Sequence, residues 1–249
     1  MKFETTLAHG NHKTVYTDGK FVAKIFDDVI PKSSILFEAL NHARIEETKI
    51  NIPKLEEVTK IDGKWAIISE YIPGKTLAQL MEECPDKTDE FLDLFTDIQI
   101  NILNEKSPYL TTLNDKMNRK ISESDFDATT RYELHTRLNK MSKHNKICHG
   151  DFNPSNIIIH PDGTPYIIDW THVTQGNGSA DAARTYLIFR LSNQNELAEK
   201  YLRLYCKKTD TARQYINEWL AIVAASQSLI SNQYEKELLQ SWVNVCDYQ

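Results

Sequence analysis

The chain has 249 residues, 41% of them hydrophobic and 26% charged, a balance that fits a globular protein and excludes a disordered one. Its 29 basic and 35 acidic side chains leave a net charge of −6, which gives a nucleic-acid partner no electrostatic support. No run approaches the roughly 20 apolar residues of a membrane span, nor does a leader-like apolar stretch follow Met1. Cys84, Cys148, Cys206 and Cys246 form no C-x-x-C pair, so reduced thiols in a cytoplasmic protein without a membrane partner are expected.

Residues 1 to about 72 read as a small sheet with one helix. Leu7-Ala8-His9-Gly10-Asn11-His12-Lys13 has a single glycine in a turn-like stretch. Residues 14–17 and 20–26 flank Asp18-Gly19, a hairpin signal, and Phe21, Ala23 and Ile25 alternate with Val22, Lys24 and Phe26. A helix follows, with Ile35, Leu36, Ala39, Leu40 and Ala43 at helical spacing and Glu38 among them. Trp65–Tyr71 is a strand broken by Pro73-Gly74, after which Thr76 and Gln79 form a capping-box pattern. This places a joint between two lobes at 69–74.

From about 75 the pattern is helical. Phe91, Leu92, Leu94, Phe95, Ile98, Ile102 and Leu103 make an apolar stripe flanked by Glu82, Glu83, Asp86, Asp89, Glu90, Asp93 and Asp97. That acidic flank reads as a solvated face more readily than as a polyamine site. Residues 107–146 carry further helices whose order the pattern does not fix, and the last sixty residues carry two or three more. Trp170, Trp219 and Trp242 have the chemistry of an aromatic cage for a quaternary amine, with core packing the plainer account of each.

The chemistry concentrates at 147–170. Ile157-Ile158-Ile159 and Tyr166-Ile167-Ile168 are β-prone runs joined by His160-Pro161-Asp162-Gly163-Thr164-Pro165, a turn-rich link. Folding them antiparallel brings Asn156, before one strand, close to Asp169, after the other, with Asp151 on the preceding loop. Such hard oxygen donors suit Mg²⁺, which keeps room for phosphate oxygens. The spacing Asp151-x-x-x-x-Asn156 is that of a kinase catalytic loop. A hydrolase-type metal cluster of His149, Asp151, His160 and His172 lacks the ligand spacing of zinc sites.

His149-Gly150-Asp151, Asn156 and Ile168-Asp169-Trp170 together resemble the signature of the aminoglycoside phosphotransferase and choline kinase-like small-molecule kinases, H-G-D-x-x-x-x-N followed by a strand ending in I-D-W or I-D-F. The resemblance implies an α+β, protein kinase-like two-lobe fold. Its nucleotide lobe would span 1–72, with a small antiparallel sheet and one helix, and its catalytic and substrate lobe 75–249. It further implies ATP and Mg²⁺ as cofactors, Asp151 as the residue facing the acceptor hydroxyl, and Asn156 and Asp169 as metal ligands. By the same resemblance Lys24 holds nucleotide phosphates and Glu38 orients it, with Glu46 and Glu47 as rivals for that task. Backbone from Ser69, Glu70, Tyr71 and Ile72 meets adenine, and Gly10 with its neighbours covers the phosphates. Asp181 falls where family members carry an acid bracing the catalytic loop, although Asn177-Gly178 departs from the usual Asp-Pro.

The implied partner is a small hydroxylated molecule, cationic ones included: an aminoglycoside, choline, ethanolamine or a related amino-alcohol or sugar. Thr171 and His172, where relatives often have an acid, leave the acceptor's identity open. Two alternatives stand beside this reading, an atypical protein kinase and a non-catalytic nucleotide-binding module. No segment like the kinase A-P-E follows Asp169, and Lys24, Asp151, Asn156 and Asp169 are retained together, so both are disfavoured.

Overall fold

The computed structural model describes residues 3–227; Trp242 and Cys246 lie outside the described residues. In chain order the strands and helices are β1 (Thr5–Gly10), β2 (Lys13–Thr17), β3 (Phe21–Phe26), α1 (Lys32–Glu46), β4 (Leu55–Ile61), β5 (Lys64–Glu70), β6 (Lys75–Thr76), α2 (Leu77–Glu83), α3 (Thr88–Asn104), α4 (Leu113–Ser122) and α5 (Ala128–Lys140). After these come β7 (Lys146–Cys148), β8 (Ile157–Ile159), β9 (Pro165–Ile167), β10 (Thr174–Gly176), α6 (Gly178–Leu191), α7 (Asn195–Thr209) and α8 (Arg213–Gln227). None of the described helices is long and apolar enough to cross a membrane.

The residues group into two compact units that do not follow chain order. Of the described residues, one unit comprises those through Glu83 with Pro154–Thr171; the other comprises Cys84–Asn153 and residues 172–227. The expected boundary at 72–75 is thus crossed by packing: β6 and α2 stay with the first unit, and so does the β8–β9 hairpin. The reason is local, since β6 pairs with β8 through Thr76 and Ile158.

In the first unit an antiparallel sheet runs β1-β2-β3-β5-β4. The Asp18 carboxylate closes the β2–β3 turn by accepting from the N–H groups of Lys20 and Phe21. Alternation along β3 separates two small cores. Ala23 packs with Ala66 and Ile68 on one face, while Phe26 packs with Ile35, Ala39 and Ile67 on the other. Helix α1 turns Ile35, Ala39, Asn41 and Ile45 inward, leaving Leu36 and Leu40 exposed. The expected stripe was therefore too wide, because Leu36 and Leu40 each sit one residue, some 100°, round from its buried centre. Thr76 and Gln79 form the reciprocal capping box of α2.

The second unit is built on α3 and α6. Phe95 of α3 stacks against Phe152 at 4.5 Å between ring centroids and meets Phe189 and Tyr201 edge-on. Burying a side chain such as Phe152 contributes about 1.5–3 kcal/mol, and this one follows Asp151 directly, so the aromatic core anchors that loop. Asn177 caps α6 by accepting from Ser179 N–H, and its amide donates to Ser142 O and Tyr215 Oη. An asparagine thus does the work expected of an aspartate there. Trp219 is fully buried here, as is Trp170 in the first unit; neither offers an open cage wall.

Candidate active site

The expected β8–β9 hairpin forms, with a turn one residue shorter than its sequence suggests: Pro165 pairs with Ile159 and Ile157 with Ile167, and Ile168 N–H donates to Asn156 O at 3.0 Å. That pairing places Asn156 and Asp169 at one end of the hairpin. Asp169 itself sits at φ 62, the left-handed region that side chains other than glycine seldom occupy. Strain of this kind persists only where surrounding contacts fix it, and here they do. Lys13 Nζ lies 2.9 Å from Asp169 Oδ2, Lys24 Nζ 3.4 Å from Oδ1, and Thr171 Oγ1 donates to Oδ1 at 2.7 Å.

Lys24 also donates to Glu38 Oε1 at 2.6 Å. Of the two rivals, Glu46 is engaged elsewhere, accepting from Leu55 N–H and lying 3.8 Å from His42 Nε2; Glu47 lies past the end of α1 as its C-cap. Burial pushes the Asp169 carboxyl up, but the Lys24 and Lys13 ammonium groups outweigh it and hold it well below the usual carboxylate range. Burial likewise opposes the Lys24 charge, and the Asp169 and Glu38 carboxylates overcome it, so the lysine ends above its ordinary value.

All nine residues expected to bind nucleotide or metal line a single cavity of about 480 Å³ within the first unit: Gly10, Lys24, Glu38, Ser69, Glu70, Tyr71, Ile72, Asn156 and Asp169. Along the joint, Glu70 N–H donates to Lys54 O and Tyr71 N–H to Lys20 O, so both amides are committed to the sheet. Ile72 N–H makes no hydrogen bond to a described residue. Gly10 is not at positive φ, and a Cβ there would meet only the flexible Lys13 side chain; the turn is made by His12, at φ 62. Lys13 is the residue that sequence reading passed over. Its signal was present, since the Asp18-Gly19 hairpin pairs Val15 with Lys24 and puts Lys13 on the same face.

Asp151 stands in the other unit and lines a separate cavity of about 260 Å³. Its loop is tightly held. Gly150 adopts φ 79, and a Cβ there would come within 2.5 Å of His172 O. Gly150 N–H donates to Asp181 Oδ1 at 2.7 Å, and the other Asp181 oxygen accepts from Gln99. Arg184 donates through Nε to Gly150 O at 3.2 Å and reaches Asp151 Oδ1 at 3.5 Å. Asp181 therefore acts on loop geometry, in the place the resemblance gives it. Among the described residues no three His, Cys, Asp or Glu side chains are grouped to hold a metal ion, and His160 of the alternative cluster is paired with Asp162.

Three of the four acids on α3 also have partners. Lys200 pairs with Asp89, and Lys208 with both Asp93 and Asp97, so this flank is a helix-to-helix contact and not an open polyamine face.

Comparison with known proteins adds a family. A model described as "Phosphotransferase enzyme family" matches residues 5–217, while a search of curated proteins finds no match. Among solved structures, a thermostable mutant of the aminoglycoside phosphotransferase APH(4)-Ia in ternary complex with AMP-PNP and hygromycin B aligns with TM-score 0.73 and 13% identity. The alignment covers 97% of this chain and 91% of that one. Choline kinase LicA from Streptococcus pneumoniae aligns with TM-score 0.63 and 17% identity over 98% and 92% of the two chains. At these identities the likeness carries the fold, which is the α+β, protein kinase-like fold expected from the sequence.

Proposed function

This chain belongs to the phosphotransferase enzyme family and is a kinase acting on a hydroxyl group; from that footing we propose that it moves the γ-phosphate of ATP to a small hydroxylated molecule. The observation that carries the reading is Lys24, held between Glu38 and Asp169 in a cavity that Asn156 and the 69–72 backbone also line. One similar structure was obtained with AMP-PNP, which supports ATP as donor. The division of labour follows the expected lobes, with 1–72 for nucleotide and 75–249 for acceptor, the β8–β9 hairpin lending its two ligands to the nucleotide side.

Lys24, directed by Glu38, takes the α- and β-phosphates. The Ile72 amide, left unused by the sheet, is the donor for the adenine edge, and the turn at Gly10–Lys13 covers the phosphates. The donor chemistry fits Mg²⁺: Asp169 stays ionised because two ammonium groups hold its carboxyl low, Asn156 adds an amide oxygen, and phosphate oxygens complete such a site. When bound, the ion neutralises charge on the transferred group. Asp151 orients the acceptor and receives its proton. The acceptor oxygen bonds to the γ-phosphorus as the bond to the β,γ-bridging oxygen breaks, and ADP leaves. With a loose transition state, positioning contributes more than base strength. A reducing, cytoplasmic setting suits scattered cysteines that form no C-x-x-C pair.

The test is thermal shift with Mg-ATP followed by ADP release over a panel of alcohols, amino-alcohols, sugars and one protein substrate. Stabilisation by Mg-ATP that Asp169→Ala abolishes, with release on an alcohol, is expected. Indifference to nucleotide and magnesium sinks the reading.

A further inference from the structure

The cavity beside Asp151 has a charge pattern that a cationic acceptor does not explain. Besides His172, three cationic side chains line it, Lys116 and Lys120 from α4 and Arg184 from α6, against two acids, Asp151 and Asp181. Both acids are already engaged: Asp181 binds Gly150 N–H and the Gln99 amide, and Asp151 faces Arg184. Among the described residues Lys116 donates only to a neutral partner, His172 O, at 2.6 Å. Lys120 has no hydrogen bond or ion pair with a described residue. A second observation is independent of these charges. Thr174, on the same cavity wall, is 1% exposed, and its Oγ1 finds no hydrogen-bond partner among the described residues. Buried hydroxyls are nearly always satisfied, so an orphan in a cation-lined cavity marks a place where a ligand oxygen completes the set.

Resting on the phosphotransferase reading, we propose that this cavity is the acceptor site and that its acceptor is a small anionic alcohol, a hydroxy acid or a phosphorylated alcohol. Lys116, Lys120 and Thr174 take its oxyanion, and its hydroxyl is presented to Asp151. Arg184 is already turned toward Asp151 and Gly150 O, so it serves to position the loop. A volume of about 260 Å³ falls below the usual range for drug-sized ligands and favours an acceptor of a few carbons. Burial first, then Lys120 and Arg184, bring Lys116 down to about 7, and burial with Arg184 and Arg119 brings Lys120 to about 8. Clustered ammonium groups that repel one another in this way are relieved by an anion and aggravated by an amine.

The experiment compares three small alcohols on the full chain: glycerate or glycerol 3-phosphate as anions, glycerol as the neutral match, and choline as the cation. Expected is a kcat/KM at least tenfold higher for an anion than for glycerol, with Lys120→Met and Lys116→Met raising KM tenfold or more while kcat changes little. A binding arm needs no turnover. Inorganic phosphate and glycerate, added with Mg-ADP filling the donor cavity, should raise the melting temperature of the wild type and not of the Lys116→Met/Lys120→Met double variant. Preference for choline, or equal anion stabilisation of wild type and double variant, overturns the proposal. Loss of the Mg-ADP shift itself would instead strike the donor site, so the two failures are distinguishable.

Discussion

Lys24 and Lys116 stand one in each compact unit, both partly withdrawn from water, and their surroundings push them in opposite directions. Lys24 has two carboxylates of its own chain within 3.4 Å, which overcome burial and lift its pKa. Lys116 has a carbonyl for a partner; burial, then the Lys120 and Arg184 charges, outweigh the pull of the Asp181 carboxylate, and it falls to about 7. In the first unit the charges are balanced before any ligand arrives, so the site is a preset cradle in which Asp169 stays ionised. In the second the balance is left to whatever binds. Burial alone does not tell these lysines apart; what differs is whether the fold supplies the counter-charge.

The largest effect should come from removing Asp151, the acid of the second cavity that is assigned to the acceptor hydroxyl. Asp151→Asn is expected to cut kcat by about 10²–10⁴-fold, the usual range for a positioned acid–base group, while the Mg-ATP thermal shift is retained. Turnover within a few-fold of wild type would remove Asp151 from the chemistry. Next comes Asp169→Asn, which makes Lys24 resemble Lys116 by taking away a counter-charge. A loss of about 2–3 kcal/mol is expected, since breaking a partly buried pair strands the partner, and chemical denaturation reads it directly. The pH signature follows from the low carboxyl. Its stabilisation is complete above the unfolded value of about 3.9 and is lost as pH falls below that toward the folded value. Wild type should therefore lose its advantage over Asp169→Asn on acidification, and a constant gap down to pH 2 would contradict the assignment.

The first unit was far more legible in the sequence than the second, for physical reasons. Its elements announce themselves through turns: Asp18-Gly19, Asp162-Gly163 and the Thr76–Gln79 cap all restrict the chain within a few residues, and each formed as expected. Ligands set at hairpin ends inherit that certainty, which is why Asn156 and Asp169 followed from spacing. Lys13 was missed although the hairpin register carried it, because a lysine in a strand gives no signal of its own until its cross-strand neighbour is considered. The second cavity was invisible for another reason. Lys116 and Arg184 are 68 positions apart on α4 and α6, and nothing in a polar helical stretch fixes which face of α4 meets which face of α6. Its key hydroxyl, Thr174, is unremarkable in sequence and informative only once it is buried.

A third variant tests the wall shared by Lys116 and the Asp151 loop. A Cβ at Gly150 would strike His172 O, the same carbonyl that takes the Lys116 hydrogen bond, and φ 79 adds a conformational cost of order 1–3 kcal/mol. Gly150→Ala should lose about 2 kcal/mol of stability, or roughly 4–8 °C in Tm for a chain of this size, with turnover falling as the loop shifts. A fourth sharpens the contrast between the lysines through pH. Because Lys116 is lowered in the folded state, the unfolded chain binds more protons between about 7 and 10.4, and stability rises with pH across that window. Lys116→Met should thus be more stable than wild type by at least ~1 kcal/mol at pH 6, with the gap closing by pH 10 in urea melts. A gap that widens with pH would mean that Lys116 has an acid partner after all.

The smallest effect belongs to a lysine whose counter-charges are resident but wet. Lys208 of α7 reaches Asp93 and Asp97 of α3 at 2.8 and 2.7 Å, distances as short as those at Lys24, yet both acids are more than half exposed at 52%. Water and salt screen such pairs, and ordering the long side chains consumes much of what remains. Lys208→Ala should therefore shift stability by less than about 1 kcal/mol, and raising salt to 1 M should shrink even that difference. A change as large as that of Asp169→Asn would show that proximity of opposite charges, and not their removal from water, is what separates the cradle around Lys24 from the rest of the surface.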